Sequence, residues 1–299
     1  MKLIVQPEDG IAPIVTAVKQ AKKSIDIAIF RFDRRELEQA LAAAAARGVV
    51  VRALIAHTAG ESGGSLRKLE LRLLESGLTV ARTDDDLVRY HAKYLIVDKA
   101  RLFVLGFNFT AADTKKTRSF GLELRNKSLV KSALDLFEAD MMRQPVQKLH
   151  EHLVVSPINA RESLAAFLKG AKSELLIYDP KLSDPRLIRV IKERIRAGVS
   201  VRALGRVAKS GTDIPLARLS GARLHVRAIV RDRAMAFIGS QSLKRLELDK
   251  RRELGIIVRD VKIAKQMAEV FAADWLNASP KTVERTDDIM SKEVETAAS

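Results

Sequence analysis

ARGVVVRALI, residues 46–55, returns as RAGVSVRALG at residues 196–205. Gly48, Val51, Arg52, Ala53 and Leu54 meet Gly198, Val201, Arg202, Ala203 and Leu204 at a constant offset of 150. A period that long exceeds any solenoid repeat and marks a duplicated domain. Pro7 and Pro157, and the Ala-Lys pairs at 21–22 and 171–172, keep the same offset. Downstream the offset falls to 134: His91 meets His225, Asp98 meets Asp232, and LFEADM (136–141) meets VFAADW (270–275). The second copy is therefore 16 residues shorter, between its second strand and its histidine.

Each copy has the same local grammar. APIVTAVKQAKKS carries Ile14, Ala17, Val18 and Ala21 at helical spacing, and SIDIAIFRF then alternates Ile25, Ile27 and Ile29 as a strand. Asp33, with Glu36 three residues on, predicts a capping box for the alanine-rich helix that runs to Arg47, and Gly48 closes it. VVVRALI is the next strand, and Asp184-Pro185 opens the matching helix of the second copy with a cap and a proline at the first helical position. Strands at 94–97 and 102–105 follow, then strands at 121–125 and 254–258, and closing helices ending at Asp140 and Trp275. Alternating strands and helices predict an α/β fold built twice, as two similar α/β/α sandwich lobes. The first lobe takes residues 1–145, the second 146–279, with the seam in RQPVQKLHEHL (143–153) and a polar, mobile tail over 280–299.

The 299 residues hold 53 Lys and Arg against 37 Asp and Glu, a formal charge of +16. That excess suits a polyanion or an anionic membrane surface, and it also suits a merely soluble surface. With no cysteine, disulfides, zinc-thiolate sites and cysteine nucleophiles are excluded. MKLIVQPEDG has no signal-peptide core, and no run of 18 apolar residues occurs. The expectation is a cytoplasmic protein that could sit peripherally on a membrane. Aromatic residues make up 5% of the chain, and Phe30, Phe32, Phe103 and Phe237 fall in predicted strands, so they read as core and not as a base-stacking platform.

The segment HAKYLIVDKARLFVLGFNFT (91–110) places His91, Lys93, Asp98 and Asn108 around two strand-like runs. Its second copy, RLHVRAIVRDRAMAFIGSQS, keeps His225, Asp232, Gly239 and Ser240, with Arg227 at the position of Lys93 and Ser242 at that of Asn108. Two imidazoles, one from each half, suit phosphodiester cleavage. One must attack phosphorus while the other, on the far side, protonates the leaving oxygen. Imidazole can be neutral or charged near neutral pH, so one residue type serves both roles. Lys93, Arg227, Asn108, Ser240 and Ser242 would bind the non-bridging oxygens as charge builds there. This scheme calls for no cofactor and no metal, and no H-E-x-x-H or similar ligand spacing is present.

On these residues the chain resembles the phospholipase D superfamily, whose members carry H-x-K-x4-D-x6-G-S-x-N in each half of a duplicated α/β fold; the resemblance spans residues 3–277. It implies that His91 is the nucleophile that forms a phosphohistidine, and that His225 is the general acid that later activates water or an alcohol. It also implies a carboxylate orienting each ring. Glu253, 28 residues after His225, fills that position, whereas the matching residue after His91 is Ser119, so one orienting carboxylate is expected to be missing. Asp98 and Asp232 would support the site from behind. Gly106 stands where the pattern has serine, Arg227 where it has lysine, and Ser242 where it has asparagine. An arginine differs from lysine in its planar fork. The shortened second copy places His225 inside the strand RLHVRAIV. Three roles stay open: a phosphodiesterase or phosphatidyltransferase acting on phospholipid, a nucleic-acid phosphodiesterase, and a binding protein for anionic phosphate ligands. The first is favoured because AKKSIDIAIF with ARGVVVRAL resembles bacterial cardiolipin-synthase-like members. With both half-sites in one chain, a monomer is expected to suffice.

Other polar residues carry less. His57 follows the second strand and could face the cleft, past the carboxyl ends of the strands. His150 and His152 read as surface at the seam. TAGESGGS (58–65) lacks the ending of a phosphate loop and reads as a flexible entrance loop, TDDD (83–86) as a solvated turn, and the alanines at 42–46 as helix core.

Overall fold

The computed structural model describes residues 1–57, 63–221 and 223–280. The first lobe runs β1 (Lys2–Gln6), α1 (Ala12–Gln20), β2 (Ser24–Ile29), α2 (Arg35–Ala46), β3 (Val50–Ile55), α3 (Gly63–Glu75), β4 (Thr79–Arg82), β5 (Arg89–Tyr90), β6 (Tyr94–Val97), β7 (Arg101–Leu105), α4 (Ala111–Lys115), β8 (Thr117–Leu124) and α5 (Lys127–Met142). The second runs β9 (Leu153–Ser156), α6 (Ala160–Lys169), β10 (Glu174–Leu182), α7 (Pro185–Arg196), β11 (Ser200–Val207), β12 (Leu216–Arg218), β13 (Arg223–Leu224), β14 (Arg227–Arg231), β15 (Met235–Gly239), α8 (Arg245–Asp249), β16 (Arg251–Arg259), α9 (Val261–Leu276) and β17 (Ser279–Pro280). A single 3-10 turn, Lys209–Gly211, stands where the first lobe has α3. That replacement accounts for most of the shortening seen in the sequence.

The first sheet has the order β1-β8-β7-β6-β2-β3-β4, and the second repeats it as β9-β16-β15-β14-β10-β11-β12, with β17 added beyond β12. Within each, β2–β3–β4 and β10–β11–β12 are parallel, and the hairpins β6–β7 and β14–β15 are antiparallel. Helices α1, α2 and α3 cover the outer face of the first sheet, as α6 and α7 cover the second. The inner faces share one apolar core, where β7 and β8 meet β14 to β16 and α5 and α9 pack alongside. β2 is buried on both faces, so its alternation is of polarity and not of exposure: Asp26, between Ile25 and Ile27, is paired with Arg52 at 2.6 Å.

The repeated residues have structural reasons. Arg52 and Arg202 stack on Phe137 and Phe271 of the closing helices, at 5.2 and 5.8 Å from the ring centroids. Gly48 and Gly198 end α2 and α7 with φ of +85° and +84°, a backbone region that favours glycine. The aspartates of LFEADM and VFAADW cross the lobe interface: Asp140 pairs with Arg252 at 3.1 Å and Asp274 with Arg118 at 2.9 Å. Asp184 caps α7 through Leu187 N at 3.0 Å, as its sequence predicts.

The capping box at Asp33 does not form. Arg34 is the N-cap of α2 without a side-chain bond, and Asp33 instead accepts Ala111 N at 2.7 Å, tethering the segment before α2 to the start of α4. Of TAGESGGS, residues 58–62 lie outside the described residues, whereas Gly63, Gly64 and Ser65 form the first turn of α3 and not a loop. The tail from residue 281 onward also lies outside the described residues.

Candidate active site

The two lobes exchange strands at the histidines. β5, just before His91, pairs in parallel with the start of β16, and β13, just before His225, pairs with the start of β8. His91 N donates to Arg252 O at 2.7 Å, and His225 N approaches Arg118 O at 3.5 Å. Each histidine thus leaves its own lobe's hairpin and is pinned to the edge of the other lobe. His225 lies in the break between β13 and β14 and not inside a strand, contrary to the expectation from RLHVRAIV. Pairing with β8 uses up the two residues before it, so a continuous strand through the histidine cannot form.

His91 Nδ1 faces Glu253 Oε2 at 2.8 Å, and Lys93 Nζ lies 2.8 Å from both ring nitrogens. His225 Nδ1 stands 3.3 Å from Asp113 Oδ2, within ion-pair range but out of line for a hydrogen bond. Asp113 Oδ2 also accepts Asn108 N at 2.8 Å and Asn108 Nδ2 at 2.7 Å. In the second lobe Glu247 Oε2 accepts Ser242 N at 2.7 Å and lies 3.6 Å from Arg227 Nε, which donates to Ser242 Oγ at 3.1 Å. Arg227 also donates to His225 O at 3.0 Å.

Two expectations about orientation are corrected here. Glu253 faces His91, from the opposite lobe, and not the histidine of its own lobe. The missing second carboxylate is supplied by Asp113 on α4, six residues before Ser119, so both rings have an acidic neighbour across the interface. The sequence signal for Asp113 was the same offset that revealed the duplication: it aligns with Glu247, and Arg118 aligns with Arg252.

Asp98 and Asp232 do not support the site. Both sit at the far ends of their hairpins, with φ of 54° and 53°, and hold the turns after α1 and α6: Asp98 accepts Lys22, Lys23 and Ser24 N, and Asp232 accepts Lys172, Ser173 and Glu174 N. The four residues of β6 and the five of β14 separate them from the histidine end, roughly 13–17 Å at about 3.3 Å per residue. Nor does Ser240 offer its hydroxyl to a phosphate, since it accepts from Leu254 N at 3.1 Å and donates to Leu254 O at 3.3 Å. His57 is exposed and held by its backbone to Thr83 Oγ1, while the rings of His150 and His152 lie tilted by 42° at the seam, 5.4 Å between centroids. Asp86 of TDDD accepts the Tyr90 hydroxyl at 2.7 Å. Among the described residues, no group of three or more His, Cys, Asp or Glu is arranged to hold a metal ion.

The patch holds Asp113, Glu247 and Glu253 against Lys93 and Arg227, all buried. Burial holds the His91 pKa well below that of a free imidazole, and Lys93 and Arg227 push the same way. Burial likewise weakens the hold of Lys93 on its proton, against the pull of Glu253. His225 is lowered to about 4 by burial, which Asp113 opposes and Arg227 reinforces. Burial works against the Asp113 carboxylate too, yet the His225 ring and the Asn108 amide groups outweigh it and hold its pKa well below the usual range. Burial raises Glu253, with Lys93 and Arg227 opposing. The outcome is two neutral imidazoles at neutral pH, each with Nδ1 toward a carboxylate and Nε2 left as its reactive nitrogen; the tautomer is inferred from the partners.

The chain is similar in sequence and in fold to known proteins. The family described as "Cardiolipin synthase, PLD-like domain" matches residues 14–141 and 203–275. The mitochondrial cardiolipin hydrolases of Canis lupus familiaris and Mus musculus are each 28% identical over 131 residues, 44% of this chain and 50% and 58% of theirs. The chain spans about half the length of the curated relatives it matches. Polyphosphate kinase from Porphyromonas gingivalis superposes with a TM-score of 0.77 at 17% identity, covering 99% of this chain and 52% of that one. Phosphatidylserine synthase of Haemophilus influenzae Rd KW20 gives 0.67 at 12% identity, covering 99% and 92%. At those identities both likenesses show the fold alone.

Proposed function

Because the chain belongs to the phospholipase D superfamily, in the family of cardiolipin synthase PLD-like domains, we propose that it cleaves or exchanges a phospholipid phosphodiester through a phosphohistidine on His91. His91 Nε2 attacks phosphorus, a P–N bond forms, and the P–O bond to the leaving alcohol breaks. His225, which takes up a proton on Nε2 when the substrate's phosphate anion raises its proton affinity, gives that proton to the leaving oxygen. Water or an acceptor alcohol then loses a proton to His225 and attacks phosphorus, and the P–N bond breaks to return neutral His91. Lys93, Arg227, Asn108 and Ser242 bind the non-bridging oxygens, where fixed donors in a dry site are worth most.

The observation that carries this reading is the cross-lobe contact of His91 Nδ1 with Glu253, 2.8 Å, with Lys93 beside the remaining nitrogen. It favours the tautomer with the proton on Nδ1, leaving on Nε2 a lone pair that Lys93 Nζ faces at 2.8 Å. The basic surface suits peripheral contact with an anionic membrane, and no helix of the described residues is long and apolar enough to cross one. Both half-sites come from one chain, so a monomer is the proposed working unit. The test is turnover of bis-p-nitrophenyl phosphate, with chelator present, by the wild type and by His91→Ala and His225→Ala. Loss in both variants supports the reading. Turnover that survives in His91→Ala refutes the nucleophile. A wild type silent on this ester, on phospholipid and on DNA leaves the phosphate-binding role in its place.

A further inference from the structure

A groove of about 500 Å³ opens where α6, α7 and α8 meet in the second lobe. Arg161 of α6, Asp184, Arg186 and Arg189 at the start of α7, and Arg245 and Asp249 of α8 line it. One arginine ties the three helices together. Arg161 Nη2 donates to both Asp249 oxygens at 2.7 Å, and the same guanidinium pairs with Asp184, which is fully buried and caps α7. The end of that helix is therefore already satisfied, and the groove owes its charge to arginine side chains.

Three guanidiniums are left poorly neutralised. Among the described residues, Arg189 has no hydrogen bond or ion pair. Arg245 lies 3.6 Å from Asp249, which Arg161 already holds, and Arg186 lies 3.2 Å from Glu162; both are largely exposed pairs that hold weakly against water. The duplication shows that the fold does not ask for these cations. At the offsets of 150 and 134 the first copy has Ile11, Glu36, Gln39 and Ala111 where the second has Arg161, Arg186, Arg189 and Arg245. Ile11 is buried in the first lobe's core, so that position serves packing there. A solvated surface is the plainer reading of exposed arginines, yet it explains neither the exchange of a core isoleucine for Arg161 nor a concave wall lined by three further cations.

Arginine forks bind phosphate oxygens bidentately, and a groove of this size takes a ligand larger than one phosphate. Among the described residues, no aromatic side chain lines it, and Pro185 is its apolar residue. Nothing there stacks on a nucleobase or receives an acyl chain. We infer that the groove binds a small hydrophilic anion carrying two or more phosphates and no base, either inorganic or esterified to a polyol. The groove shares no residue with the histidine cleft, so the inference goes beyond the proposed reaction and stands or falls apart from it.

The test is calorimetry with pyrophosphate, orthophosphate and ADP on the wild type, Arg189→Ala, Arg245→Ala and the double variant. Pyrophosphate is expected to bind the wild type about tenfold tighter than orthophosphate, and ADP no tighter than pyrophosphate. Each single variant should lose about tenfold in pyrophosphate affinity, and the double variant about 100-fold, through lost charge-assisted contacts. An affinity unchanged in the variants places the anion elsewhere, the histidine cleft included, and overturns the site. Equal affinity for orthophosphate overturns the need for two phosphates, and arginine-dependent binding of ADP that is about tenfold tighter than that of pyrophosphate overturns the base-free assignment. Sedimentation with phosphatidylglycerol vesicles that depends on the two arginines, without binding of free pyrophosphate, overturns the soluble ligand in favour of a membrane headgroup. Both arginines are exposed and hold no helix in place, so the variants should melt like the wild type. Added pyrophosphate should then raise the melting temperature of the wild type more than that of the double variant, and equal rises would contradict the site.

Discussion

Glu253 Oε2 lies 2.8 Å from His91 Nδ1, although the two residues are 162 positions apart and belong to different lobes. Neither lobe can orient its own histidine. Glu253→Gln keeps the shape but can present its amide NH2 to Nδ1, which favours the tautomer with Nε2 protonated. The expected loss is about 100-fold or more in kcat with KM nearly unchanged, and Glu253→Asp should recover part of it. Steady-state kinetics beside a thermal melt checks this; a change confined to KM would make Glu253 a binding residue only.

The pH dependence follows from His225, lowered from 6.5 to about 4 mainly by burial. In the free protein the proposed acid is unprotonated at neutral pH, so kcat/KM should rise as pH falls from 7 toward about 4. A bound phosphate anion restores proton affinity to the ring, placing the kcat optimum at higher pH than that of kcat/KM. Stability has the opposite slope. The unfolded ring takes up its proton first, so the contribution of this group is complete above 6.5 and is lost as pH falls to about 4, on the order of 3 kcal/mol. Denaturant melts of wild type and His225→Gln across that window should converge as pH falls; parallel curves would refute the shift.

The lobe interface offers a third prediction. Arg252 and Asp140 are both buried and pair at 3.1 Å, and His91 N is bonded to the backbone of that same arginine at 2.7 Å. Removing one partner leaves a buried charge, so Arg252→Met should cost about 3–5 kcal/mol, whereas Arg252→Met with Asp140→Leu should recover most of it. Urea unfolding measures both. Equal losses in the single and double variants would show that the pair is not the source of the stability.

Much of this was legible in one sequence. The duplication, the order of elements and the two histidines all followed from two constant offsets, because symmetric packing demands the same residues twice. The cap at Asp184 was legible for a local reason, since its oxygen serves a backbone three residues away. Asp33 was misread because a contact distant in sequence, Ala111 N, competed for its carboxylate. The motif spacing does not say which end of a hairpin Asp98 and Asp232 occupy, and the structure puts both at the end away from the histidines. The exchange of β5 and β13 left no local signature, and without it the cross-lobe partners Glu253 and Asp113 could not be assigned.

Gly106 tests how far the motif can be read as a template. A Cβ there would stand 3.0 Å from Phe120 O and Ser119 Oγ and 3.1 Å from Gly239 O. Gly106→Ser, which writes the expected serine into the pattern, should therefore destabilise the protein by about 1–3 kcal/mol through overpacking and not improve activity. A variant as stable as the wild type in urea would contradict the fit.

The account rests on a covalent bond to His91, and trapping it is the most direct measurement. In His225→Ala, p-nitrophenolate leaves without needing an acid, but water lacks its base, so the P–N intermediate accumulates after bis-p-nitrophenyl phosphate is added. The account predicts a burst of one nitrophenolate per chain and, by intact-mass and peptide analysis, one p-nitrophenyl phosphoryl group on His91. Steady turnover with no adduct, or an adduct on any other residue, contradicts it.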